Sequence, residues 1–461
     1  MIVGIWLSWL SLSVAAFTEK FALSQVHLAY SYTTALDTSM YIVWNTHVPA
    51  NYCTISYAAE GQATSLLVQN YTHDLSEDNY FNYVYKARMR DLGFDRDYRY
   101  LLMCKSGLRT DYREGQFHSH PGHTDNVTLL VMGDWATAAV GKKGHAQHTQ
   151  VPKPNVLSAL QRETHYSSIW HLGDLAYNLH SHSGKRGDEF FLSIESVVSE
   201  RPFMAVPGNH EVHGRFRHYD SRMEFPSLTD NNLYYSLDVG KAHVIMLCTD
   251  FESTVPDRPL SDPDFQTIQY QNQRQWLLND LKAANNNRQT QPWILVFGHK
   301  PLYCSSNDQS DMMKRVCIHE AKKMRESFED LFITYGVNVY FSGHLHLYER
   351  LDPVVDGLRR ADQVRNSHIY TVGTAPIYLV NGVAGNLENE AIIMKRPKRT
   401  LPFSAYISEA LGYGFLHICN SSHLLYEQIA FGNTQFDEVG TDLWPTRRVE
   451  DWVWVVNEQR D

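Results

Sequence analysis

Positive charge is in short supply in this chain. Lys and Arg number 41 against 51 Asp and Glu, and the net charge of −10 leaves no field with which to grip nucleic acid. A phosphate substrate would meet the same repulsion unless local cations, metal ions among them, offset it. Long apolar runs are equally scarce. After residue 18 no segment reaches the roughly 18 uninterrupted apolar residues of a membrane-spanning helix, so the processed chain is expected to be soluble, with no stable membrane insertion. There is no internal repeat and no low-complexity tract, which excludes a repeat architecture. Cysteine is sparse, at positions 53, 104, 248, 304, 317 and 419. Cys304 and Cys317 flank the polar loop Ser305–Val316, where a local disulfide is plausible in an oxidising compartment, and Cys53 and Cys104 could pair too. Cys248 and Cys419 lie in apolar runs and read as buried thiols. Spacing alone does not decide connectivity.

The first 18 residues, Met1–Thr18, contain no charged side chain and end in small residues at Ser13, Ala15 and Ala16. That is the pattern of a secretory signal cleaved near Ala16, although no Lys or Arg stands near its start and an uncleaved anchor is the alternative. Asn70-Tyr71-Thr72, Asn126-Val127-Thr128 and Asn420-Ser421-Ser422 are glycosylation sequons that agree with a lumenal route. A secreted, extracellular or lysosomal glycoprotein is expected.

At 461 residues the chain is long for one domain and comfortable for two. Residues 24–123 alternate with period two in Met40–Trp44, Cys53–Tyr57, Tyr80–Met89 and Tyr98–Lys105, which predicts an all-β sandwich. His118, His120 and His123 stand in a Pro/Gly-containing stretch that reads as a linker rather than a metal site. From Asn126 strands alternate with helices: apolar runs at Val127–Met132, Ser167–Leu172, Pro202–Val206, His243–Cys248, Trp293–Phe297 and Val337–Phe341 predict strands. Between them Asn155–Tyr166, Glu189–Glu200, Arg274–Ala284 and His319–Tyr335 predict amphipathic helices, giving an α/β domain over 126–399 with layered sheets flanked by helices. Residues 400–461 return to short strands, Phe415–Cys419 and Leu424–Ile429 among them, and form a C-terminal segment expected to pack on that domain.

Five of the predicted strand ends deliver a ligand for a hard metal ion: Gly133-Asp134, Gly173-Asp174 with Tyr177, Gly208-Asn209-His210-Glu211, Gly298-His299 and Gly343-His344-Leu345-His346. Strand ends are where α/β proteins build sites, and each Gly lets the backbone turn tightly beside a cation or a phosphate. Carboxylate, amide, phenolate and imidazole together suit Fe, Mn or Zn better than a thiolate set would.

This set of motifs resembles the purple acid phosphatases of the calcineurin-like metallophosphoesterase superfamily, and the animal long form most of all. The resemblance runs through nearly the whole chain, from a fibronectin type III-like sandwich to Gly412-Tyr413-Gly414-Phe415 and Glu427-Gln428. It implies a dinuclear centre in which Asp134, Asp174, Tyr177 and His346 hold Fe³⁺. Asn209, His299 and His344 then hold a divalent Zn, Fe or Mn ion, and Asp174 bridges the two. It further implies hydrolysis of phosphate monoesters by metal-hydroxide attack, with Asn209 and His210 contacting the phosphate. His210 assists the leaving group, Glu211 orients His210, and the Tyr177 phenolate colours the ferric ion. Tyr348-Glu349-Arg350 would support the loop.

Departures bear on the outer shell. The plant long forms carry histidines shortly after the Val-x-x-His motif, and Pro301–Gln309 has none. His213 and His218 are candidate substitutes; His145, His148, His180 and His182 lie in loops after ligand strands, and Arg215 and Arg217 could add charge at the mouth. Two other readings compete. A phosphodiesterase with two divalent ions would carry a His where Ala136 stands, and an adhesion protein with a dead domain would lack ligands that are present here.

Overall fold

The computed structural model describes residues 21–31, 38–59, 64–76, 80–136, 156–227, 231–251, 263–305, 314–386, 401–431 and 447–458. The expected signal Met1–Thr18 and the loop histidines His145 and His148 lie outside these residues.

Period-two alternation builds the N-terminal part. In Tyr52–Ala58 the residues Cys53, Ile55 and Tyr57 are buried while Thr54 and Ser56 are half-buried, so one face meets the core. Two antiparallel sheets of four strands result. One runs in the order Leu23–Tyr30, Met40–Thr46, Tyr83–Met89, His73–Asp74, and the other Thr64–Val68, Tyr52–Ala58, Asp97–Ser106, Arg109–His118. The Cys53–Cys104 disulfide joins directly paired positions of the second sheet. The linker starts later than predicted, because His118 closes the last strand with its ring 2.8 Å from Asp97 and 2.9 Å from Asp95. His120 is buried edge-on to Tyr30 while His123 bonds Gln291, so the three histidines have separate environments.

Two larger sheets follow. The first runs Phe203–Ala205, Ser168–His171, Val127–Met132, Gly412–Ile418, His423–Phe431, Arg447–Val456, Ile369–Thr371, Val364–Asn366. The second runs Tyr235–Val239, Ala242–Met246, Trp293–Phe297, Val339–Ser342, Ile377–Asn381, Tyr348–Leu351, Ser404–Ser408. Residues of 400–461 therefore enter both sheets as hydrogen-bonded strands instead of lying on them. In Trp293–Phe297 every residue is buried, but toward two neighbours. Trp293, Leu295 and Phe297 join the core shared with the first sheet, and Ile294 and Val296 join a second core with Leu277, Leu281, Phe328 and Phe332 from the covering helices. A strand buried on both faces needs an unbroken apolar run, which is why this one was legible.

Helix limits moved more than strand limits. Arg274–Ala284 is the C-terminal part of a helix spanning Pro263–Asn286, whose first half lacks apolar periodicity. The expected Asn155–Tyr166 shrinks to Val156–Leu160, and Glu189–Glu200 becomes Lys185–Val198. His213–Arg222 is helical without an apolar signature, and it contains the left-handed residues Gly214, Arg215 and Phe216.

Buried polar contacts join these layers. Arg350 in the second sheet donates to both oxygens of Asp451 in the first, at 2.7 and 2.9 Å. At the sandwich, Asp188 accepts from Arg222, from Tyr80 and, at 2.6 Å, from Asn82 Nδ2. His27 Nε2 lies 2.9 Å from the Arg222 carbonyl.

Candidate metal centre

Within each large sheet the strands preceding the ligand motifs are parallel, so their following loops emerge along one edge. The turns are tight. Asp134, Asp174, Ala176, Tyr177 and His344 all have positive φ, between 52° and 70°. Such non-glycine conformations cost on the order of 1–3 kcal/mol each and persist where the surroundings enforce them. Gly208 and Gly343 are required for a different reason: a Cβ on either would run into a carboxylate oxygen of Asp174 or Asp134 respectively.

The side chains fall into two linked groups. In one, Tyr177 Oη lies 2.8 Å from His346 Nε2 and 3.4 Å from Asp134 Oδ1, and His346 Nε2 lies 3.4 Å from the same Oδ1. In the other, His299 Nε2 lies 3.3 Å from Asp174 Oδ2 and 3.0 Å from Asn209 Oδ1. Asp174, His299 and His344 each offer a ligand atom, all within 4.8 Å of one another. The His344 amide donates to Asp134 Oδ2 at 2.9 Å and so ties the groups together. Asp134 and His299 are fully buried, and Asp174 nearly so.

Electrostatics favour a cation here. Burial opposes charge on Asp174, but His299 and His210 outweigh it and hold the carboxyl well below the usual range. Burial likewise opposes charge on His299, whose affinity for a proton is nevertheless raised by Asp174. Buried carboxylates, imidazoles and an amide oxygen converging in this way form a donor set that fits a hard metal ion. The His299 Nδ1–H donates to the Leu172 carbonyl at 2.7 Å, which turns Nε2 toward Asp174 and Asn209.

His210 lies beside the groups. Its ring packs on Tyr177 at 4.6 Å between centroids, its amide donates to Asp174 Oδ1 at 3.0 Å, and its Nδ1 lies 3.0 Å from Asn178 Oδ1. Glu211 does something other than what was expected. Its carboxylate accepts from the main-chain N–H of Asp174 and Gly208 at 2.9 Å and of Leu175 at 3.0 Å, stitching two ligand turns together. Asn178, one residue after Tyr177, was not anticipated as the partner of His210; its place in the same loop was the available signal. Glu349 accepts from the Ser305 amide and the Ser404 hydroxyl, and Tyr348 donates to Asp451, so that motif is structural.

Among the outer histidines, His180 and His213 stack with centroids 3.9 Å apart, and His182 is exposed. His218 is buried, its pKa pushed down to about 3 by burial and Arg222. Arg217 donates to the Asp74 carbonyl of the sandwich at 3.1 Å, and Arg215 lies over the Phe265 ring. Neither contact shows the role at the mouth that their sequence positions suggested.

Residues 127–348 match the calcineurin-like phosphoesterase family model, and residues 375–438 match that of the iron/zinc purple acid phosphatase-like protein C. The chain belongs to the purple acid phosphatase family. Acid phosphatase type 7 of Mus musculus is 33% identical over 64% of this chain and 65% of its own length. The Danio rerio protein of that name is 36% identical over 60% of this chain and 62% of its own. The match thus spans slightly less than two thirds of these relatives. A purple acid phosphatase from yellow lupin (Lupinus luteus) seeds shares the fold, with a TM-score of 0.72 at 19% identity over 95% of this chain and 75% of that one.

Proposed function

We propose that this protein is an acid phosphatase that hydrolyses phosphate monoesters to an alcohol and inorganic phosphate at a dinuclear centre of Fe³⁺ and a divalent Zn, Fe or Mn ion. The observation that carries this reading is the convergence of Asp134, Tyr177 and His346 beside Asp174, Asn209, His299 and His344. The first three would hold Fe³⁺, the last three the divalent ion, with Asp174 between them. Such a pair of ions, when bound, offsets phosphate charge and supplies an activated water. Tyr177 favours the phosphatase over the diesterase reading, because its hydroxyl stands by Asp134 where Ala136 has no ring to offer.

The protein's own groups bind and orient. Asn209 and His210 face the phosphate. With Nδ1 held by Asn178, His210 carries its mobile proton at Nε2, from which it passes to the leaving oxygen. Glu211 keeps the turns at Asp174 and Gly208 from spreading. The reading extends to a signal ending near residue 18 and a fibronectin type III-like domain over 24–123. A catalytic domain over 126–399 and a C-terminal segment over 400–461 complete it. Secretion or lysosomal delivery is supported by glycan sites at Asn70, Asn126 and Asn420, each exposed.

Metal analysis of the purified full chain, together with hydrolysis of p-nitrophenyl phosphate at acid pH, tests the proposal. One iron and one divalent ion per chain, with turnover and a visible absorption band, are expected. A metal-free protein without turnover would refute it.

A further inference from the structure

Three neighbouring parallel strands of the second sheet, Ala242–Met246, Trp293–Phe297 and Val339–Ser342, lead into loops carrying Asp250, Lys300 and His344. Glu320 joins them into a row in which Asp250, Lys300 and Glu320 alternate in charge and the His344 ring stands at the end. Lys300 Nζ lies 3.3 Å from Asp250 Oδ1 and 3.0 Å from Glu320 Oε2, and that same Oε2 lies 3.3 Å from His344 Nε2. Asp250 is 0% and Lys300 1% exposed. Charges at that depth persist only when paired. Glu320 does not come from a strand end. It closes the helical turn Lys314–Glu320, which the Cys304–Cys317 disulfide fastens to the loop that follows His299 and Lys300.

A neutral imidazole has one proton and one lone pair, and a carboxylate beside one ring nitrogen fixes which is which. With Glu320 at Nε2, the proton of His344 sits there and the lone pair is on Nδ1. We propose that Glu320 is a positioning residue for the metal centre. Its negative oxygen, 3.3 Å from Nε2, keeps the proton on that nitrogen and leaves Nδ1 for the divalent ion, while Lys300, itself paired with Asp250, holds Glu320 in place. The inference rests on the reading of His344 as a ligand of that ion. It also gives the disulfide-tethered turn a part in metal binding that nothing in the ligand spacing suggests. A row that served only packing would lower stability without selecting between the two ions.

Wild-type protein, Glu320→Gln and Glu320→Ala are loaded with iron and zinc and titrated with a chelator, each ion being counted separately. Zinc retention should weaken about 10-fold in Glu320→Gln and about 100-fold in Glu320→Ala. Iron content and the visible band assigned to Tyr177 should hold in both. Glu320→Gln is nearly isosteric but gives up the charge that pairs with Lys300 and faces His344 Nε2, so it decides the matter if the alanine variant does not fold. Zinc retention equal to wild type in Glu320→Gln overturns the proposal, as does parallel loss of both ions, which would mean a collapsed site rather than a misaimed ring. Wild-type protein that binds neither ion instead overturns the dinuclear reading beneath it.

Discussion

Asp174 is the residue on which the two ligand groups depend. Its side chain meets His299 and the His210 amide, its own amide is held by Glu211, and its carbonyl accepts from Trp135. Asp174→Ala should therefore lose both ions and all turnover, measured by metal analysis and phosphatase assay; two retained ions with full activity would undo the assignment. His210 differs because its ring lies outside the pairs that define the two groups. His210→Ala should keep both ions while kcat falls about 100-fold or more, the usual scale for a lost general acid. Loss of metal in that variant would make His210 a ligand. These side chains were visible in the chain as motifs, because each stands within four residues after a glycine that follows an apolar run. Asn178 and Glu320 were not, since a hydrogen bond between separate loops leaves no periodicity to read.

At the scale of the element, strands with two buried faces carry most of the apolar contact. Leu295 is fully buried in the core between the two large sheets. Leu295→Ala should lower unfolding free energy by about 2–5 kcal/mol in denaturant titration; a shift near zero would mean the sheets do not close on one another there. The helix Pro263–Asn286 is tied to the sheet differently. His243 sits between Asp238 at 2.6 Å and Asp280 of that helix at 2.9 Å. Burial opposes its charge, but the two carboxylates outweigh it and raise its pKa from 6.5 to about 9. A pKa raised on folding stabilises fully below 6.5, and that stabilisation is lost as pH climbs toward 9. Wild type should thus lose on the order of 2 kcal/mol over that interval, and His243→Gln should lose much less; equal slopes would rule the triad out. Helix ends were poorly legible because polar turns such as 263–273 are helical through their covalent continuity with an apolar half, not through a pattern of their own.

Across the whole molecule, buried ion pairs couple parts that are far apart in the chain. Arg350 and Asp451 link the two large sheets, with Tyr348 as a third partner. Arg350→Met would leave Asp451 buried with only the Tyr348 hydroxyl bonded to it and His368 Nδ1 3.9 Å away, and a loss of about 3–5 kcal/mol is expected from thermal or chemical unfolding. An unchanged midpoint would show the pair to be dispensable. Asp188 and Arg222 play the corresponding part where the sandwich meets the ligand loops. The sequence by itself determined the two textures, β then α/β, and the residues that could bind metal, because period, turn chemistry and ligand type are local properties. Only the tertiary structure decided that the last strands complete the central sheets, that Glu211 braces backbone, and that Glu320 reaches His344. Those are contacts between distant segments, chosen by how buried surfaces and charges find partners once the sheets have closed.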